Sequence, residues 1–448
     1  MATVKATKNV AQEEEKDKLE EVSDLKSKFV SPSNQNQFNF LLIPKLLYFW
    51  LNASIYSSYI FSAKYLQDRW HISMSSLNYL WALTAFSAMA SFIWTAIADQ
   101  RGIHKAMLKT SLLVYCLSFL SLRLLEGAMS SPTLRMFVLG CILLVNVMAI
   151  SILFPLTDAL IFAYLKASGV SASLYGRQRL FGTLGQAAVT VLIGYLIDFH
   201  GQDAIFLSTA LTSAVLLLVI QFGLSGTQIQ ARRKETEENE EEEEVLDGGV
   251  PLFTPRFVLL LATAFVVWLG RATIGNLLPL YLSNFLGLNS ASLGVTLSFR
   301  IFPEILVFFL NAQLMSWLGV PGMFLLAQAA SAIRTLCYAL MARSEQAVWY
   351  AKALELLKGV ANAMTMSSGV HLTSGLAPDT RRSTAQSLFS GIHGSIANAL
   401  SGIFSGLYLQ YDKDNLKDLF LWTALLQTAT LLFYGFLEFK AIRSKKVK

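Results

Sequence analysis

The sequence predicts an all-α membrane protein, with about twelve transmembrane helices in two pseudo-symmetric six-helix bundles, and three observations predict it. Hydrophobic residues make up 54% of the chain against 15% charged, 30 of its 448 residues are Phe, and the mean hydropathy is positive. That balance is far more apolar than a soluble domain of this length. Apolar segments recur about every thirty residues, and each supplies the roughly 20 residues a helix needs to cross a bilayer. One long polar interruption parts two apolar stretches of nearly equal length: Arg232-Arg233-Lys234, eight glutamates between Glu235 and Glu244, then Asp247-Gly248-Gly249-Val250-Pro251.

Taken in order, residues 1–37 are polar, with Glu13-Glu14-Glu15-Lys16-Asp17-Lys18 and Ser31-Pro32-Ser33-Asn34-Gln35-Asn36. No apolar core of a secretory leader is read there, and the stretch is expected to be a disordered cytoplasmic tail. Residues 38–224 hold six apolar segments, at about 39–64, 76–98, 106–126, 134–164, 178–199 and 203–224, the expected N-terminal bundle. Residues 225–253 are the acidic stretch. A like-charge block cannot bury itself, so it is expected to be a solvated cytoplasmic linker. Its glutamates lack ligand-like spacing and interleaved His or Cys, so no metal is expected on it. Residues 254–440 hold six more segments, at about 256–284, 291–316, 321–342, 347–374, 383–409 and 418–440, the expected C-terminal bundle, and 441–448 is a basic tail. Inside lipid the backbone must pair within each segment, which selects helices over strands.

Placement of Lys and Arg sets the orientation. With the N-terminus in the cytoplasm, the even-numbered loops and both tails carry Arg101, Lys105, Lys109, Lys166, Arg177, Arg232, Arg233, Lys234, Arg381, Arg382, Arg443 and Lys445, while the odd-numbered loops carry fewer. The positive-inside rule then puts both termini in the cytoplasm of a plasma or internal membrane. Basic residues gather on no single face, so nucleic acid is not an expected partner. Cys116, Cys141 and Cys337 lie in apolar segments at unrelated spacings and suggest neither disulfides nor zinc. The sequence holds no nucleotide-binding loop and no nucleophile set beside a base, so no enzyme and no cofactor is expected. His371 and His393 read as polar residues of late helices rather than metal ligands.

Ionisable residues at membrane depth cost at least a few kcal/mol each and are functional candidates by default. The chain keeps Asp158, Arg179, Arg271, Arg300, Glu304, Arg334, Glu355 and Lys358 at such depth, whereas Lys64, Arg123 and Asp198 lie near segment ends and are expected to reach the headgroups.

Several stretches resemble one family. Thr95-Ala96-Ile97-Ala98-Asp99-Gln100-Arg101-Gly102-Ile103-His104-Lys105 is similar to the loop motif of the major facilitator superfamily, with Thr95 in place of its first Gly. Phe154-Pro155-Leu156-Thr157-Asp158-Ala159, Tyr175-Gly176-Arg177-Gln178-Arg179-Leu180-Phe181-Gly182 and Tyr65-Leu66-Gln67-Asp68 look like the lactose-permease-like branch, the sugar or nucleoside:proton symporters. The resemblance covers about residues 38–440 and implies the major facilitator fold around a central cavity.

It also implies roles. Asp99, Arg101 and Gly102 would form a conformational latch, which Gln313-Leu314-Met315-Ser316-Trp317-Leu318-Gly319 repeats poorly, with Ser316 where the acid would stand. Arg179 resembles the family's substrate-contacting arginine, with Asp158 able to stand in for the acidic partner that would fall near Ile161. Glu304 would join substrate binding to proton coupling with Arg334, and Lys358 stands where the branch has its proton-relay histidine. Arg271 and Glu355 align with a buried acid and base pair of the family with the signs exchanged, and since opposite charges satisfy neutrality inside a membrane they are expected to form a structural ion pair. Ala361 stands where the branch has a proton-carrying glutamate, so the carrier has moved to Glu304 or Asp158, or coupling is lost. The expected function is transport of a small polar solute, sugar-like or nucleoside-like, with protons, by a monomer in the lipid bilayer. An uncoupled facilitator and a non-transporting sensor of the same fold stay open.

Overall fold

The structure, a computed structural model, describes residues 41–87, 91–128, 131–168, 175–224, 253–377, 385, 388–389, 391–411 and 415–446. The expected N-terminal tail and nearly all of the acidic linker lie outside the described residues. Residues through Pro44 form one unit and Lys45–Lys448 a second, which holds the features below.

Every regular element among the described residues is helical. The first half gives α1 (Leu42–Trp70), α2 (Met74–Ser87), α3 (Ser91–Arg101), α4 (His104–Leu124), α5 (Pro132–Ala167), α6 (Tyr175–His200) and α7 (Ala204–Leu218). The second gives α8 (Pro255–Leu280), α9 (Ser290–Ser298), α10 (Ile301–Phe309), α11 (Asn311–Leu340), α12 (Ala347–Leu376), α13 (Ala397–Tyr411) and α14 (Leu416–Lys446). Among the described residues, eight helices or helix pairs are long and apolar enough to cross a membrane, by length and composition. Helices also lie in the other expected segments, but more polar or shorter ones: α12 carries Lys352, Glu355 and Lys358, and α13 has 15 residues.

Local chemistry sets the helix ends. Thr254 caps α8, its side chain accepting the Phe257 N–H at 3.2 Å, with Pro255 in the first turn where its missing N–H costs nothing. Asn289 caps α9 in the same way through Ser292 N–H at 3.1 Å. Gly319, at φ 69°, breaks α11 into a short arm and a long helix, so the weak second copy of the loop motif lies on the short arm. There Ser316 donates only to the Gln313 carbonyl of its own turn, at 2.8 Å. Helix α14 runs on into the basic stretch as far as Lys446.

Within the first half, hydroxyl pairs stitch α1 to its neighbours: Ser54 to Ser213 at 2.6 Å, Ser57 to Thr209 at 2.7 Å and Ser58 to Tyr115 at 3.0 Å, all buried. Small hydroxyls let helices approach closely and pair polar groups away from water. In the second half α11 packs on α12 and α14, and α8 on α13 and α14.

The halves meet along α2 with α13 and α6 with α9. Asp198, expected to reach toward headgroups, instead accepts the backbone N–H groups of Ser290 and Ala291, both at 2.9 Å, at the start of α9. A carboxylate there satisfies two orphan donors and faces the positive end of the helix dipole. Gly194 and Gly294 make the approach possible, since a Cβ on Gly194 would strike the Ser290 carbonyl oxygen and one on Gly294 would lie 2.5 Å from that of Thr190. At α2, Ser75 donates to the Gly406 carbonyl at 2.7 Å and Tyr79 to Gln410 at 3.1 Å. These seams lie at the end holding the α1–α2 and α6–α7 turns.

Candidate functional site

The opposite end carries the predicted latch. Asp99, at the close of α3, meets His104 Nε2 at 2.7 Å across a turn made by Gly102 at φ 67°, while Arg101 is exposed. His104 is buried, and its neighbour Lys105 donates to the carbonyls of Gln221 and Leu224 at 3.2 and 3.1 Å. Of the three latch residues, Asp99 and Gly102 thus shape one turn tied to the end of α7, and Arg101 stays exposed beside it.

Between the ends, helical periodicity gathers the membrane-depth charges. On α12, Glu355, Lys358, Asn362 and Thr365 recur three or four residues apart and share one face. Arg300 and Glu304 stand four apart across the α9–α10 junction, and their side chains meet at 3.6 Å. Arg334 and Tyr338 stand four apart on α11, the guanidinium 5.2 Å from the ring centroid.

Two polar nodes result. In the first, Glu355 is wholly buried and takes Arg334 Nη2 at 2.6 Å, the Tyr338 hydroxyl at 3.2 Å and Lys358 Nζ at 3.6 Å. A carboxylate desolvated this fully persists only when surrounded by donors and cations. In the second, Asn362 joins Glu304 to Arg271: its amide donates to Glu304 Oε1 at 2.7 Å and its carbonyl accepts Arg271 Nη2 at 3.0 Å. Arg271 also donates to Thr365 Oγ1 at 3.2 Å and lies 4.3 Å from the Trp268 ring centroid.

This geometry corrects two pairings expected from the sequence. Arg271 and Glu355 do not pair, because Asn362 and Trp268 hold Arg271 while Arg334 and Lys358 hold Glu355. Glu304 pairs with Arg300 rather than Arg334, because Arg334, one helix away, is committed to Glu355.

From the first half, Tyr48 on α1 donates to Asp158 on α5, and Asn52 caps the Tyr48 carbonyl at 3.0 Å. Tyr56, two turns beyond Tyr48, reaches Arg300 of the second half. Arg179, at the start of α6, is exposed and carries interactions of its own. The structure brings Glu304, Arg271, Lys358, Glu355 and Arg334 together and puts Asp158 with Tyr48. Asn362, Thr365 and Tyr48 were missed by sequence reasoning. The α12 pair was signalled by its spacing from Glu355 and Lys358; Tyr48, one aromatic among many, carried no signal.

A family model described as the MFS_1 like family matches residues 41–422. The maltose permease of Geobacillus stearothermophilus is 24% identical over 369 residues, covering 82% of this chain and 86% of that protein. Among solved structures, the nucleoside transporter NupG superposes with a TM-score of 0.70 at 14% identity, over 89% of this chain and 98% of that one. The peptide transporter POT in complex with sulfate gives 0.65 at 13%, over 90% and 94%.

Proposed function

The chain belongs to the MFS_1 like family and is a multi-pass membrane transporter, and from that premise we propose that it moves a small polar organic solute with a proton by alternating access. The observation that carries the reading is the Glu304 node. Its carboxyl is 8% exposed, with Oε1 on the Asn362 amide, Oε2 lacking a hydrogen bond and Arg300 3.6 Å away. A carboxyl beside a cation and a single amide donor can take up or release a proton if alternating access moves those neighbours. Glu355, held by three groups, is the structural carboxylate, and Arg334 and Lys358 act through it.

Alternating access is supported by the seams at one end, where, among the described residues, side-chain hydrogen bonds join α2 to α13 and α6 to α9. In this reading the first and second halves are two six-helix bundles, both termini are cytoplasmic, and the seams close the external face. The Asp99–His104 turn is the cytoplasmic counterpart, and Asp158 with Arg179 offers the first-half contacts to the solute. A maltose permease and a nucleoside transporter among the similar proteins favour a sugar-like or nucleoside-like scaffold.

The test is uptake of labelled sugars, nucleosides and organic acids into proteoliposomes with and without an inward proton gradient, with Glu304→Gln beside the parent. Accumulation driven by the gradient and lost in Glu304→Gln is the expected result. Equilibration indifferent to both would replace symport with facilitated diffusion, and no movement of any solute would favour a sensor.

A further inference from the structure

The central site holds more positive charge than its own carboxylates cancel. Four basic side chains, Arg271, Arg300, Arg334 and Lys358, gather there around two carboxylates, Glu304 and Glu355. Four cations against two carboxylates leave an excess of two among the described residues. Arg334 and Glu355 cancel at 2.6 Å, with side chains 5% and 0% exposed, and Arg300 is matched by Glu304 at 3.6 Å. The excess therefore resides on Arg271 and Lys358. Arg271 is held by neutral groups: an amide, a hydroxyl and an indole ring. Lys358 shares the already occupied Glu355 from 3.6 Å, and its side chain stays 28% exposed.

Arg271 binds Asn362, which stands one helical turn beyond Lys358 on the same face of α12, so both cations attend that face. Asp158 is engaged by Tyr48. Closing a low-dielectric site over two uncompensated cations is costly, and a ligand bringing the missing anion removes that cost.

We propose that the solute is an organic anion, a phosphate monoester of a sugar-like or nucleoside-like scaffold, whose phosphate sits between Arg271 and Lys358 and whose ring lies against Trp268. This rests on the transporter reading above. A phosphate monoester carries about −1.5 to −2 charges at neutral pH, matching the excess, and the planar guanidinium of Arg271 suits two of its oxygens.

The test compares proteoliposome uptake of glucose 6-phosphate with glucose and of uridine 5′-monophosphate with uridine. It is joined by the melting temperature of the detergent-solubilised protein with and without inorganic phosphate. The phosphorylated member of at least one pair is expected to enter about tenfold faster or more, and Arg271→Gln and Lys358→Gln to remove that preference. Arg271→Lys, which keeps the charge, retains a larger share of it.

A basic pocket of 490 Å³ at the external end, lined by Arg69, His71, Arg123, Glu126 and Arg135, is a competing anion site. Arg69→Gln is expected to leave uptake unchanged; loss of the phosphate preference in that variant would move the site there and overturn the proposal. Uptake of the neutral member alone overturns it while leaving the transporter reading intact. If no solute enters, phosphate stabilisation that vanishes in Arg271→Gln still supports the anion site and counts against transport, whereas no stabilisation overturns the site.

Discussion

The two halves of this chain place their polar residues in opposite ways. In the first half neutral hydroxyls predominate: Ser54 pairs with Ser213, Ser57 with Thr209 and Ser58 with Tyr115, the Ser54 carbonyl accepts the Ser57 and Tyr115 hydroxyls as well, and Tyr48 donates to Asp158. In the second, charged groups form a mesh in which Arg334, Lys358 and Tyr338 share Glu355 while Asn362 ties Glu304 to Arg271. The Tyr48–Asp158 pair should respond to mutation independently of that mesh, whereas members of the mesh should not respond independently of one another. The first half is thus suited to holding helices in place and offering hydroxyls, the second to binding charge.

The sharpest way to break the comparison is at Glu355. Glu355→Ala leaves two cations buried around an empty position, and a loss of about 3–5 kcal/mol in unfolding free energy is expected in detergent. Adding Arg334→Ala should recover part of it, with a coupling of about 1–3 kcal/mol, because the second change removes the stranded charge. Thermal or denaturant unfolding of the two single variants and the double one measures this. Strict additivity would mean the mesh is only a set of neighbours.

The seam between the halves comes next. Asp198→Ala removes the acceptor for Ser290 and Ala291 N–H, and charged hydrogen bonds of this kind contribute about 1.5–3 kcal/mol. The fold should survive, since the contact joins halves rather than building either, but the state in which this end is closed should lose population roughly tenfold to a hundredfold. A cysteine placed at Ser75, in the neighbouring seam, reads the change through labelling by an impermeant maleimide. Faster labelling in Asp198→Ala is expected; an unchanged rate would show that the α2–α13 contact alone holds that end shut.

Much of this was legible beforehand, and what was not has a physical cause. Composition and the recurrence of apolar segments determined the fold class, because lipid admits little besides helices. The membrane-depth ionisable residues were visible as exceptions to an apolar background, and the structure gathers Arg271, Arg300, Glu304, Arg334, Glu355 and Lys358 in one region. Their pairing was not legible. Which of three basic side chains reaches Glu355 depends on the rotation and depth of α11 against α12, which spacing along one helix does not define. Asp198 misled for a related reason: position near a segment end suggests solvent, and only the approach permitted by Gly194 and Gly294 puts a helix start within its reach.

The smallest effect lies in the first half, at Tyr48. Its hydroxyl donates to Asp158, so Tyr48→Phe deletes that hydrogen bond while the ring keeps its packing. Asp158 is only half-buried, and water can take the place of the lost donor, which brings the cost near that of an ordinary hydrogen bond, about 0.5–1.5 kcal/mol. Uptake of whichever solute the protein moves should show KM raised about twofold to tenfold, with little change in melting temperature. Combined with Glu355→Ala, the stability losses should simply add, because the two pairs share no partner. A Tyr48→Phe variant as damaged as Glu355→Ala would mean that the first half is meshed as well, through contacts that reach from Asp158 across to the cations of the second.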